Sequence, residues 1–139
     1  MIYNSAMALM QKNFRTRETR YCAAVKRMLS ELGHATNHEL LAGLRSDYPT
    51  LSATTVHRVT ARLAGRDEIG LAPGTINGEL RYDGNNRPHD HFRCIHCDGL
   101  RDIQAAGKLL PLLSLEDCIV SGPFVISGSC RQCIKQKEV

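Results

Sequence analysis

Apolar side chains recur at helical spacing through the first part of the chain. Between Arg17 and Leu32, the residues Ala24, Val25, Met28, Leu29 and Leu32 fall on one stripe, and Gly33 offers a stop. Thr36 and Glu39 have the spacing of a capping box, which predicts a second helix from about Asn37 to Ser46, ended before Pro49. Ser52 can cap a third. In that helix Val56, Val59 and Leu63 share one face, while Thr54, Arg58 and Arg62 follow each other along another, and Gly65 ends it. Two short strand candidates come next, Ile69 to Ala72 and Glu79 to Tyr82. The loop between them contains Pro73, Gly74, Asn77 and Gly78, so the pair reads as a hairpin.

The pattern changes after Asp83. Gly84-Asn85-Asn86-Arg87-Pro88 reads as a hinge, and beyond it strand and turn signals alternate. The spacing predicts strands from His91 to Cys94, Leu100 to Ile103 and Phe124 to Ser127, with a helical stretch from about Lys108 to Cys118. The fold class is α+β. Residues 1–83 read as an N-terminal winged helix-turn-helix domain, since three short helices and a hairpin have that order, although any three-helix bundle could produce the same pattern. Residues 84–139 form a small α/β domain.

Charge separates the two parts further. Residues 1–83 carry 11 basic and 8 acidic side chains, whereas residues 84–139 carry 7 and 6. Arg58, Arg62 and Arg66 occur with no acid between Ser52 and Arg66, and Lys12, Arg15, Arg17, Arg20, Lys26 and Arg27 face only Glu18. A solvated basic face explains any one of these alone. As a set on a recognition unit they point to phosphate contact, and so to double-stranded DNA as partner. At 139 residues each half has a thin core that needs a metal or a second subunit, so oligomerisation is expected. No run reaches the ~20 apolar residues that cross a bilayer, and no apolar leader opens the chain. A cytoplasmic protein that does not contact membrane is the expectation.

Two Cys-x-x-Cys pairs, Cys94/Cys97 and Cys130/Cys133, carry the clearest chemistry. Each makes a tight knuckle presenting two sulfurs, and two knuckles can close a tetrahedral shell around a structural Zn(2+). Two disulfides are the alternative, which a reducing compartment disfavours. Cys22 and Cys118, set among Ala, Val, Leu and Ile, read as small buried hydrophobes. His89 and His91 lie just ahead of the first knuckle and are redundant in a closed four-sulfur shell, so they point to a second metal site. Two apart on an extended segment, they project to one side.

The run His89-Asp90-His91-Phe92-Arg93-Cys94-Ile95-His96-Cys97-Asp98-Gly99-Leu100-Arg101-Asp102-Ile103 resembles the signature of the ferric uptake regulator family. Ser52-Ala53-Thr54-Thr55-Val56-His57-Arg58 resembles its recognition helix, and Cys130-Arg131-Gln132-Cys133 falls in the family's order. The resemblance implies a homodimeric, metal-dependent transcription factor with a winged-helix domain and a dimerisation domain. It places a regulatory Fe(2+) or Mn(2+) on His34, Asp83, His89, His91 and Asp102, a mixed nitrogen and oxygen shell that suits those ions better than zinc. The assignment of His34 rests on the resemblance alone. DNA contacts carried over by position are Arg15, Arg20, Thr54, Thr55, His57, Arg58 and Arg62.

Aspartate at position 102 narrows the branch. Iron-sensing members typically have glutamate there and peroxide-sensing members aspartate, while zinc-sensing members place a cysteine near where Asp83 stands. The pattern looks most like a peroxide-responsive repressor, in which oxidation of a ligand histidine, here His34 or His89, releases the metal and ends repression. An iron or manganese uptake regulator of the same fold is the second reading. A metal-dependent hydrolase is the third, but it needs an open metal position and a general base in a substrate cleft, and the sequence offers neither beyond the ligands. No catalytic residue and no organic small-molecule substrate are expected. Three departures stand out. His57 takes the place of the usual tyrosine, Arg15-Thr16-Arg17-Glu18-Thr19-Arg20 keeps only the outer arginines of its motif, and the segment from Gln104 to Gly122 is short. Pro88 and Ser129 replace histidines of a third metal site, so none is expected, and His38 and His96 are expected at the surface.

Overall fold

The computed structural model describes residues 20–138, which fall into two compact units. One runs up to Ala72 and takes in Leu80–Asn86; the other contains Pro73–Glu79 and the chain from Arg87 onward. The fold is mixed α+β throughout.

In the first unit, helix α1 (residues 20–32) is followed by strand β1 (His34–Thr36), helix α2 (Asn37–Leu44), helix α3 (Ala53–Gly65) and strands β2 (Gly70–Ala72) and β3 (Arg81–Asp83). The expected capping box is present. The Thr36 hydroxyl accepts the Glu39 N–H at 3.1 Å and the Glu39 carboxylate accepts the Thr36 N–H at 2.8 Å, satisfying two donors that a helix start leaves open. The helix stops at Leu44, short of the expected Ser46, and residues 45–47 continue as a turn in which the N–H groups of Asp47 and Tyr48 share the Leu44 carbonyl. Ser52 caps α3 by accepting the Thr55 N–H at 3.2 Å. Val25, Leu29, Leu40, Leu44, Val56, Val59 and Leu63 meet in the core, where each fully buried aliphatic side chain contributes roughly 1.5–3 kcal/mol of transfer free energy. Leu32 departs from the expected stripe and is 51% exposed, because the chain leaves the helix one residue later through Gly33.

Gly33, at φ +79°, turns the chain so that β1 pairs antiparallel with β3, and the sheet has three strands in the order β1-β3-β2 rather than the two of a simple hairpin. Gly84 just after β3 lies so close to α1 that a Cβ there would sit 2.9 Å from the Leu29 carbonyl oxygen. The glycine is therefore required by backbone approach rather than by its own torsion.

In the second unit, strand β4 (Asp90–Cys94) is central, between antiparallel β5 (Leu100–Ile103) and parallel β6 (Val125–Gly128). A helical turn, α4 (Ala106–Leu109), runs into a 3-10 turn at Leu110–Leu112, and helix α5 (Arg131–Lys137) closes the chain. The stretch from Lys108 to Cys118 is thus helical only in its first part. Pro111 has no N–H to continue the ladder, and a single bridge between Leu115 and Cys118 follows instead. Cys118 is exposed rather than buried, as are its neighbours Leu112, Leu113, Leu115 and Ile119, because no described element packs over this segment. Cys22 is half-buried against the core of the first unit. Helix α5 was not anticipated from the sequence. The hairpin tip belongs to this unit: Arg93 donates to the Gly74 carbonyl at 3.1 Å, and the Ile76 N–H donates to Asp98 at 3.0 Å. Among the described residues no helix is long and apolar enough to cross a membrane.

Candidate metal centres and nucleic-acid interface

The Cys94–Cys97 knuckle starts at the end of β4, where the Asp98 N–H bonds back to the Cys94 carbonyl at 3.0 Å and Asp98 takes a left-handed φ of +59°. Cys130 and Cys133 come from the N-terminal turn of α5. All four Sγ atoms lie within 4.8 Å of one another, and Cys97 and Cys130 are 3.9 Å apart. That separation is far beyond a disulfide bond and close to the ~3.8 Å between two sulfurs each 2.3 Å from a tetrahedral zinc. None of the six cysteines is joined in a disulfide. Cys94 is buried and its thiol is lowered to about 5, first by the Cys130 N–H and then by that of Cys97. Cys133 is pushed up to about 12 by hydrogen bonding to Cys130 and by burial. Without a cation the surroundings thus favour the thiolate at Cys94 and the protonated thiol at Cys133, whose proton is released more readily once positive charge arrives. A four-cysteine cluster of these dimensions fits structural zinc.

The first unit carries His34 and Asp83. Their strands place them directly opposite in the β1–β3 register, with Nε2 and Oδ2 3.4 Å apart and both side chains largely buried. Asp83 also accepts the Asn85 N–H at 2.8 Å, which fixes its carboxylate.

The second unit carries His89, His91 and Asp102. His91 pairs with Asp102 across β4 and β5, and Asp102 Oδ1 lies 3.3 Å from His91 Nε2 and 3.1 Å from His89 Nε2. His89 Nδ1 lies 2.6 Å from the Arg87 carbonyl and donates to it, so that in the neutral ring Nε2 presents its lone pair toward the carboxylate. A lone pair and a carboxylate oxygen aimed at one another are stabilised by a cation between them. Imidazole and carboxylate donors of this kind fit Fe(2+) or Mn(2+).

Asp90, between the two histidines, faces the other side of β4. Its carboxylate accepts the N–H groups of Phe124 at 2.8 Å and of Ala105 and Ala106 at 2.9 Å, and these bonds, with Phe124 the strongest, hold it below the usual carboxylate range. Sequence reasoning passed over Asp90, although the period of two along a strand already put it on the opposite face from His89 and His91.

Of the residues expected to touch DNA, Thr54, His57, Arg58 and Arg62 are exposed on α3. Thr55 is half-buried, its hydroxyl 3.0 Å from that of Ser52 in the cap. Arg20 is exposed, and its guanidinium stacks 5.3 Å from the Tyr21 ring and 5.1 Å from the Tyr48 ring, two tyrosines that themselves meet edge to face. Neither tyrosine was singled out from the sequence. Arg15 lies outside the described residues. His38 and His96 are exposed, and His96 lies 2.9 Å from the Ser129 hydroxyl.

A winged helix followed by a four-cysteine zinc site and a His/Asp donor set defines a metal-dependent DNA-binding regulator. The model of the Ferric uptake regulator family matches residues 11–109, and the chain belongs to that family. Its members are transcription regulators that bind operator DNA as dimers. Among solved structures, the chain is similar to the Campylobacter jejuni peroxide stress regulator, at 20% identity and a TM-score of 0.70, with 91% of this chain and 98% of that one covered. It is also similar to the Helicobacter pylori ferric uptake regulator, at 16% identity and a TM-score of 0.65, covering 94% and 93%. A zinc uptake regulator complexed with zinc and DNA matches at 19% identity with a TM-score of 0.55, covering 98% and 97%. At these identities the likeness is one of fold.

Proposed function

We propose that this regulator is a peroxide-responsive repressor that acts as a homodimer on operator DNA. Residues 1–83 supply the DNA-binding part and residues 84–139 the dimerisation and metal-binding part. The two donor groups, His34 with Asp83 and His89 with His91 and Asp102, jointly hold one regulatory Fe(2+) or Mn(2+). Because they come from both sides of the hinge, the metal-bound state favours the arrangement in which two α3 helices match two half-sites on one DNA face. Arg58 and Arg62 meet phosphate, together with Arg15 and Arg20, while Thr54, Thr55 and His57 face the base edges.

One observation carries the peroxide reading: the carboxylate between the two histidines of the second unit is an aspartate, Asp102, within 3.3 Å of both. This is the residue type that the resemblance associates with peroxide sensing. Bound Fe(2+) supplies the one-electron chemistry. The peroxide is reduced to water as one of its oxygens is added to the imidazole of His34 or His89. The modified ring is a poorer donor, the shell loses a ligand and operator binding ends. The conformation of His89, with Nδ1 tied to a backbone carbonyl, keeps its ring in place for this reaction.

Peptide mass spectrometry of the Fe(2+)-loaded protein before and after brief dilute peroxide tests the proposal, with Mn(2+)-loaded protein as control. A gain of one oxygen on the peptide bearing His34 or His89, seen only with iron, is the expected result. Metal-dependent operator binding without that oxygen assigns the protein to iron or manganese uptake control instead.

A further inference from the structure

His57 stands on the flank of α3, one step round the helix from the buried Val56, and its side chain is exposed. It is tied to the preceding helix. Asn37, the first residue of α2, places its side-chain nitrogen 3.1 Å from His57 Nδ1. The other end of the same amide meets the fully buried Thr60, whose hydroxyl has Asn37 Oδ1 at 2.9 Å as its nearest acceptor, ahead of the carbonyls of Val56 at 3.1 Å and His57 at 3.2 Å. With oxygen committed to Thr60, the amide turns its NH2 toward the imidazole. An NH2 has no lone pair to offer, so Nδ1 must accept, and the neutral ring then carries its proton on Nε2.

We infer that Asn37 sets His57 as a specificity-determining residue that offers Nε2–H as a fixed hydrogen-bond donor to a base edge. The inference rests on the reading above, in which α3 enters the major groove. There guanine presents N7 and O6, adenine N7 and thymine O4 as acceptors, whereas cytosine presents only the N4 amino donor. A fixed donor therefore accepts three bases on the contacted strand and opposes cytosine. A histidine free to exchange tautomers could adapt to a donor or an acceptor and would discriminate little. Asn37 thus acts through His57: it is a positioning residue, and His57 makes the contact.

The reversal of this arrangement can be engineered. Asn37→Asp keeps an acceptor for Thr60 and suits the first turn of a helix, where a negative charge is favoured. It also presents a carboxylate oxygen to Nδ1, which draws the proton there and leaves Nε2 as an acceptor. The test is selection from a randomised duplex pool by the full-length Mn(2+)-loaded protein at pH 8.5, above the ordinary histidine range, with wild type, Asn37→Asp and His57→Phe in parallel. In wild type, one position of each half-site should show cytosine depleted about fivefold, the low end for base-edge hydrogen bonding. Asn37→Asp should turn that depletion into enrichment of cytosine or adenine, and His57→Phe should flatten that position alone. A wild-type motif with no cytosine-depleted position, or a depletion that survives in His57→Phe, overturns the inference while leaving operator binding intact. Absence of any metal-dependent enrichment by wild type overturns the operator-binding reading as well.

Discussion

Cys130 donates its backbone N–H to the sulfur of Cys94 at 3.4 Å, joining the knuckle at the end of β4 to the start of α5 across 36 residues of chain. The contact makes the four-cysteine cluster a clasp on the second unit: β4, the Cys94–Cys97 turn and the C-terminal helix meet there. Cys94→Ser should abolish stoichiometric zinc and leave the protein misfolded or monomeric, since structural zinc sites couple their binding free energy to folding. Zinc content by atomic absorption and mass by light scattering read the outcome; a stable, zinc-free dimer would contradict it.

In the metal-free, reduced protein Cys94 and Cys133 together should contribute most to stability near pH 9. Cys94, lowered from 9.0 to about 5, contributes stability that is complete above pH 9 and is lost as pH falls toward 5. Cys133, raised from 9.0 to about 12, contributes in the opposite sense and is lost as pH rises from 9 toward 12. Denaturant midpoints between pH 5 and 11 after chelation measure both limbs, and a midpoint that rises steadily as the solution is acidified from pH 9 would refute the assignment.

His91→Ala should weaken Mn(2+) binding by about 100-fold or more, since loss of a ligand costs at least what loss of a ligand's own supporting partner does. The structural zinc should stay at full occupancy, because His91 is not among the four-cysteine set. Titration calorimetry with Mn(2+) and a zinc assay on the same sample separate the two sites. Equal loss of both metals would show that the substitution had unfolded the domain.

Asp90→Asn should lower the unfolding temperature of the second unit. An amide oxygen cannot serve the N–H groups of Ala105, Ala106 and Phe124 as a carboxylate does, and its NH2 would face a donor. In the native protein the same contribution is present above the ordinary carboxylate range and is lost as pH falls through the lowered value of Asp90. Thermal scans of the zinc-loaded variant at neutral pH check the first statement, and an unchanged midpoint would dismiss Asp90 as a structural anchor.

Leu40→Ala should cost about 3 kcal/mol, within the 2–5 kcal/mol range for a buried leucine, because Leu40 is fully buried where α2 joins the core beneath α3. Equilibrium denaturation gives the figure directly. A cost below about 1 kcal/mol would mean that the core closes around the missing side chain.

The sequence by itself determined what is written within one turn or one strand. Helical stripes, the Thr36–Glu39 box, the Ser52 cap and both Cys-x-x-Cys knuckles are local patterns, each set by side chains two to four positions apart, and all could be read directly. Tertiary structure decided what depends on segments far apart. The three residues of β1 are too few to show a period, and they become a strand only because Gly33 turns them against β3, which also sets His34 opposite Asp83. The parallel pairing of β4 with β6 requires the chain to cross back, and no alternation within either strand encodes it. Cys118 and its apolar neighbours looked like interior residues by composition, yet burial is a property of what packs on a segment, and no described element covers this one. The partners of Asp90, Arg20 and His57 were hidden for the same reason: a side chain's chemistry can be read from its identity, whereas the atom it faces is fixed only when the chain closes on itself.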